Sequence, residues 1–222
     1  MQNAIQQNYQ ALRQALPSEV LLVAVSKTKP IEALLQAYEA GCRDFGENKV
    51  QEMQPKYEAL PKDIRWHLIG HLQSNKVKYI APFVHCIHSI DSLKLLQEVN
   101  KQAAKAGRVI ECLLQIFIAE EDTKFGLSFE EAENLLASEE IKSLKNTKIK
   151  GLMGMATFTE DEAQIRREFR SLADFFARAQ SYNDGERIAL ETLSMGMSGD
   201  YALAIEEGSS LVRVGSAIFG SR

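Results

Sequence analysis

The chain has 222 residues, 45% of them hydrophobic and 25% charged, a composition that excludes disorder and allows a substantial buried core. Its net charge of −4 gives the chain as a whole no attraction for nucleic acid or an anionic membrane. The start from Met1 to Gln10 is polar, no apolar run nears the ~20 residues that cross a bilayer, and Cys42, Cys86 and Cys112 are too widely spaced for a disulfide framework or a zinc pattern, so the expected compartment is the cytoplasm and the cysteines are expected in the core.

Ile5, Tyr9, Leu12 and Leu16 recur at helical spacing and predict an amphipathic first helix stopped by Pro17. The apolar run 20–26 predicts a fully buried strand closed by Lys27, with Leu21, Val23, Val25 and Lys27 on one face and Leu22, Ala24 and Ser26 on the other. A lysine there is either the last residue before solvent, the ordinary case at a strand end, or an amine that burial drives toward its neutral, nucleophilic form, the kind that makes Schiff bases. A helix over 30–40 with Gly41 as its C-cap comes next, then a short strand at 43–45 and a helix over about 48–60. Strands at 66–69 and 86–90 flank a helical region at 73–80, and a helix over 92–106 ends at Gly107. The remaining strands are expected at 109–118, 148–156, 189–194 and 211–215, with helices at 129–137, 160–180 and 201–207 between them. Eight strands alternating with helices point to a (β/α)8 TIM barrel occupying 1–222 as a single domain with an extra N-terminal helix; a doubly wound open sheet is the alternative. In both folds the active face lies at the C-terminal strand ends, where Lys27 sits.

The seventh strand runs into Ser194-Met195-Gly196-Met197-Ser198-Gly199-Asp200 and a short helix, and the eighth into Gly215-Ser216-Ala217. Paired small-residue turns after the last two barrel strands are the make-up of a phosphate site, while two ordinary turns with Ser198 or Asp200 as caps are the plain alternative. Alternation places Arg213 on the face of Gly215, opposite Val212 and Val214, so it points into the barrel mouth if those valines pack outward. A buried guanidinium needs an anion, which a bound phosphate or a carboxylate such as Glu191 or Asp200 would supply. The histidines, at 67, 71, 85 and 88, lack metal-ligand spacing and read as core or strand-end residues. Asn48 opens a helix, with capping as its first explanation and a place on the rim as its second. No metal site and no acid and base pair of carboxylates is expected.

Six motifs in one order carry a resemblance to a known family: Ala24-Val25-Ser26-Lys27-Thr28-Lys29, Phe45-Gly46-Glu47-Asn48, the stretch from Trp66 to Lys76, Gly151-Leu152-Met153-Gly154-Met155-Ala156, Ser194-Met195-Gly196-Met197-Ser198, and Val212-Arg213-Val214-Gly215-Ser216-Ala217-Ile218-Phe219-Gly220. Over almost its whole length the chain resembles the YggS/PROSC group of pyridoxal phosphate homeostasis proteins. That resemblance implies a fold-type III barrel like the N-terminal domain of alanine racemase, with pyridoxal 5′-phosphate held as an internal aldimine by Lys27. It also implies that Ser198, Gly199, Gly215 and Ser216 surround the phosphate, that Arg213 lies against the cofactor at the phosphate or the pyridine nitrogen, and that Asn48 and Met153 lie near it.

Three functions compete: a cofactor carrier, a racemase-like enzyme using the same cofactor, and a sugar-phosphate enzyme without it. Racemases of this barrel type add a C-terminal domain that supplies a second proton-transfer group, whereas here only 216–222 follow Gly215. The expectation is therefore a non-catalytic carrier, monomeric, with no catalytic residues, and with apo enzymes that use the cofactor as recipients.

Overall fold

The computed structural model describes residues 3–120 and 125–220. Its strands are β1 (Leu21–Val25), β2 (Asp44–Glu47), β3 (Arg65–Leu68), β4 (Cys86–Ile90), β5 (Ile110–Gln115), β6 (Thr147–Met153), β7 (Ile188–Ser194) and β8 (Leu211–Val214), which form a closed barrel in chain order. The closing pair is parallel β1 and β8, in register from Leu21 opposite Leu211 to Ala24 opposite Val214, and this rules out the open-sheet alternative. The connecting helices are α2 (Ile31–Glu39), α3 (Val50–Ala59), α4 (Val77–Ile80), α5 (Leu93–Lys105), α6 (Phe129–Ala137), α7 (Glu139–Ser143), α8 (Glu162–Ala179) and α9 (Tyr201–Glu206). The expected extra helix is α1 (Ala4–Ala15), started by an Asn3 and Gln6 capping box and packed on α2 and on a last helix, α10 (Ser216–Phe219).

Strand alternation sorts the side chains into two environments. Leu22, Ala24, Phe45, Trp66, Leu68, Ile87, Cys112, Leu114, Val212 and Val214 point outward and join the apolar helix faces in one continuous core. Inside, Cys86, Leu113 and Met153 form a small separate cluster, and the buried polar side chains Asp44, His67, His88, Gln115, Ser194 and Arg213 belong to the same inward-facing rows. All three cysteines are free and buried, as expected of small core residues.

Boundaries moved where tertiary pairing overrode the local pattern. β1 stops at Val25, so Lys27 stands in the turn beyond the strand rather than closing it. β5 ends at Gln115, short of the apolar 116–118, because Phe117 donates to Leu127 O and Leu127 to Gln115 O, folding the chain back on itself. β6 stops at Met153 where residue 156 was expected. The short helices α7 and α10 were not anticipated; each is too brief to show a helical period.

Candidate functional site

A cavity of about 680 Å³ opens at the C-terminal end of the barrel, and Lys27, Asn48, Ser198, Gly199, Arg213, Gly215 and Ser216 all line it. Met153 does not; it is fully buried beneath, in a cluster against which the cavity-lining Met155 packs.

The turn bearing Lys27 is fixed on several sides. Val25 and Lys27 both line the cavity, as the alternation required. The next residue, Thr28, has φ +63°, a conformation costly for a β-branched residue, and its N–H donates to Glu52 Oε2 at 2.7 Å. Below the turn, Ser26 Oγ donates to Glu47 Oε1 at 2.6 Å, and Lys56 Nζ donates to Ser26 O at 2.8 Å and to Glu47 Oε1 at 2.7 Å. Burial pushes the Glu47 carboxyl above its ordinary value, against the opposing pull of Lys56 and Ser26. Lys29 is directed elsewhere: its ammonium donates to Phe219 O at 3.2 Å and Gly220 O at 3.0 Å, tying the turn to the end of α10.

The two small-residue turns are adjacent, as expected, and joined, since Gly215 N–H donates to Ser198 Oγ at 3.2 Å and Arg213 N–H to Gly196 O at 3.0 Å. Asp200 Oδ1 accepts from Met197 N–H at 2.5 Å and so closes the first turn on itself. Gly196 has φ +89°, and a Cβ there would strike Tyr201 and Ala204.

Arg213 does enter the barrel, but neither Glu191 nor Asp200 is hydrogen-bonded to it. Nη1 donates to Ser194 O at 3.0 Å and to Ser194 Oγ, and Nη2 donates to Gly154 O at 3.0 Å. Glu191 lies in a surface pair with Lys150 at 2.5 Å, and Asp200 acts on Arg213 only through space. A fully buried guanidinium thus faces neutral acceptors, and burial pulls it down to about 10 despite the charge of Asp200.

Asn48 is not a cap. α3 begins at Val50 with Lys49 at the cap position, and Asn48 lies on the rim. A Cβ at Gly70 would overlap the Asn48 carbonyl, so that glycine lets the loops after β2 and β3 meet. His71, Phe125, Gln115 and Phe158 also line the cavity and were not anticipated. The His71 and Phe125 rings lie 5.4 Å apart, Gln115 Nε2 donates to Phe125 O at 2.8 Å, and Phe158 is 96% exposed. A phenylalanine between two threonines in a polar loop was the available signal for Phe158. Gln115 and Phe125 become visible only once the bonds that bring residue 127 alongside residues 115–117 are known.

Deeper in the barrel, His67, Cys86 and His88 bring potential ligand atoms within 4.8 Å of one another. The two imidazole nitrogens that meet there are hydrogen-bonded to each other at 2.9 Å.

Residues 2–222 match the family of the alanine racemase N-terminal domain. A pyridoxal phosphate homeostasis protein of Aquifex aeolicus is 41% identical over 203 residues, covering 90% of this chain and 86% of the relative. PipY of Synechococcus elongatus, solved without and with PLP, is 36% identical and superposes with TM-scores of 0.90 and 0.85 over 97% of this chain and 100% of its own. The barrel of alanine racemase from E. faecalis, at 16% identity and TM-score 0.78, covers 99% of this chain and 58% of the racemase, and shares the fold. With residues 2–222 inside one family match, a relative 41% identical over most of both chains and its closed barrel superposed on PipY, the chain belongs to the pyridoxal phosphate homeostasis protein family.

Proposed function

We propose that this chain binds pyridoxal 5′-phosphate in the barrel-mouth cavity and serves intracellular homeostasis of that cofactor as a carrier rather than as an enzyme. Its strongest support is the convergence on one cavity of a primary amine, a buried guanidinium with no carboxylate partner among the described residues, and two joined turns of small residues. The residues fit the group. The volume of about 680 Å³ suits a small phosphorylated ligand, and a buried cation whose partners among the described residues are neutral favours an anion nearby. When bound, the cofactor supplies an aldehyde able to condense with an amine.

Lys27 is the amine that holds it, on a turn anchored by Glu52 and by the Ser26, Glu47 and Lys56 cluster. Ser198, Gly199, Gly215 and Ser216 surround the phosphate, Arg213 lies against the ligand, and Asn48 flanks it from the loop after β2. Met153 acts from beneath, through the packing of Met155. The PLP in the PipY structure and the names of the relatives support the same ligand.

Racemisation needs a second proton-transfer group set against the amine. Among the described cavity residues, Asp200 is engaged by Met197 N–H, Arg213 by Ser194 and Gly154, and His71 sits on the rim against Phe125, so no buried acid stands free for that role. A carrier of this kind works as a monomer and delivers the cofactor to apo enzymes that use it. Borohydride reduction of the loaded protein followed by peptide mass spectrometry is expected to find the adduct on Lys27; an adduct on Lys29 overturns the assignment. A panel of L- and D-amino acids is expected to show no racemisation, transamination or decarboxylation. Turnover in the usual enzyme range of about 1 to 10³ per second would establish the enzyme reading instead.

A further inference from the structure

Arg213 is the near end of a hydrogen-bonded column that runs through the barrel. Ser194 Oγ, which accepts from Arg213 Nη1, lies 3.4 Å from His88 Nδ1; His88 Nε2 lies 2.9 Å from His67 Nδ1; and His67 Nε2 lies 3.0 Å from Asp44 Oδ1. Ser194 on β7 and His88 on β4 are on non-adjacent strands, so their side chains meet only across the lumen. The column ends at Asp44, which accepts from Arg65 Nε at 2.7 Å and Nη2 at 2.5 Å. Asp44 and Arg65 line a second cavity, with Arg13 and Arg43, at the opposite end of the barrel from the one lined by Arg213.

With both imidazoles neutral, the two ends determine the direction of every bond between them. A guanidinium only donates and a carboxylate only accepts. If Ser194 donates to His88, His88 donates from Nε2, and His67 donates from Nε2 to Asp44, each of the described protons has an acceptor and both imidazoles are neutral. A cationic His67 would reverse the His67–His88 bond and turn His88 Nδ1–H toward Ser194, leaving the fully buried Ser194 hydroxyl proton without a partner; it would also add a buried cation to an Asp44 whose charge Arg65 already matches. Burial, with the charge of Arg213 adding to it, pushes His88 well below its ordinary value, in line with a neutral imidazole there. For Asp44, burial works in the opposite direction, but the bonds from His67 and Arg65 outweigh it and bring the carboxyl to about 2.

We propose that Asp44, His67, His88 and Ser194 are positioning residues that form a one-way hydrogen-bonded column across the barrel and orient Arg213 for the ligand of the mouth cavity. Its link to a ligand rests on the cofactor reading above. The column makes the carboxylate at the far end of the barrel the remote acceptor for a cation at the mouth, so a change at Asp44 is transmitted to ligand affinity only through Arg213.

Two measurements test this. In the native full-length protein without ligand, long-range ¹H–¹⁵N correlation spectra of the imidazoles at pH 7 are expected to show His67 and His88 both protonated at Nε2 and bare at Nδ1. An Nδ1–H tautomer or an imidazolium at either residue overturns the column, and this reading depends on neither a variant nor a ligand. The second measurement is a double-mutant cycle of Asp44→Asn and Arg213→Met, read as affinity for pyridoxal 5′-phosphate by equilibrium dialysis. Members of one network couple by about two- to a hundredfold, so Asp44→Asn is expected to weaken binding at least about twofold when Arg213 is present and to have no effect in the Arg213→Met background. Equal losses in both backgrounds overturn the positioning role. Failure of the unmodified protein to bind the cofactor would instead refute the cofactor reading, while the spectra still decide the column.

Discussion

At the scale of single residues, Lys56 shows how much of the site lies outside its lining. Its ammonium is buried against Glu47 and Ser26, directly under the turn that bears Lys27. Removing one member of a buried ion pair strands the other, at about 3–5 kcal/mol, whereas removing both together costs less. Lys56→Met is therefore expected to lose about 3–5 kcal/mol in urea unfolding, and Lys56→Met with Glu47→Gln clearly less; equal losses would mean the pair is not the cause. Arg213 is the second case. A charge-assisted bond is worth roughly 1.5–3 kcal/mol, so Arg213→Ala should weaken cofactor binding by about ten- to a hundredfold in a calorimetric titration. Pyridoxal binding as tightly as its phosphate would contradict an anion site. Alternation told which way Lys27 and Arg213 point, because facing is a local property of a strand. It could not name the partners of Arg213, since Ser194 at the end of β7 and Gly154 just past β6 lie 19 and 59 residues away in sequence.

At the scale of elements, the rim depends on one buried carboxylate of α8. Glu168 accepts from Thr157 N–H at 2.6 Å, Thr157 Oγ1 at 2.7 Å, Glu120 N–H at 3.2 Å and Gln164 Nε2 at 3.1 Å. It thereby ties the loops after β5 and β6, and with them Phe158, to the helical shell. Glu168→Ala is expected to raise amide exchange at Glu120 and Thr157 and to cost roughly 1–3 kcal/mol; unchanged exchange at both would deny the clamp. The strands and longer helices were legible because their apolar periods are local. Glu168 was not: it interrupts the apolar face of α8, and only the loops packed there explain it.

At the scale of the whole molecule, acid stability follows from the polar interior. His88 stays neutral when folded but takes a proton at the ordinary value of about 6.5 when unfolded, so the unfolded chain binds more protons below that pH and stability falls as pH drops, by at most about 1.4 kcal/mol per unit. Burial also lowers His85, which adds in the same direction. A second loss is expected below about 3.9, as unfolded Asp44 protonates while the folded carboxyl holds out to about 2. Urea midpoints at pH 7.5, 6 and 5 check the first loss, and a flat profile would contradict it. Barrel closure was the least legible feature, because strand order leaves open whether the first and last strands pair, and Leu21 with Leu211 is a contact no local pattern contains.

The sorting of apolar side chains outside the barrel wall and polar ones inside it bears on how the chain avoids misthreading. Sliding any strand by one residue exchanges its two faces. In β3 such a slip would drive Trp66 and Leu68 into the lumen and strand His67 among the aliphatic side chains of the shell, breaking the bonds to Asp44 and His88 as well. A barrel with a uniformly greasy interior would tolerate that error at modest cost. Here a slip of β3 is penalised on both sides of the wall, so the same histidine that leads towards Arg213 acts as a proofreading key for assembly.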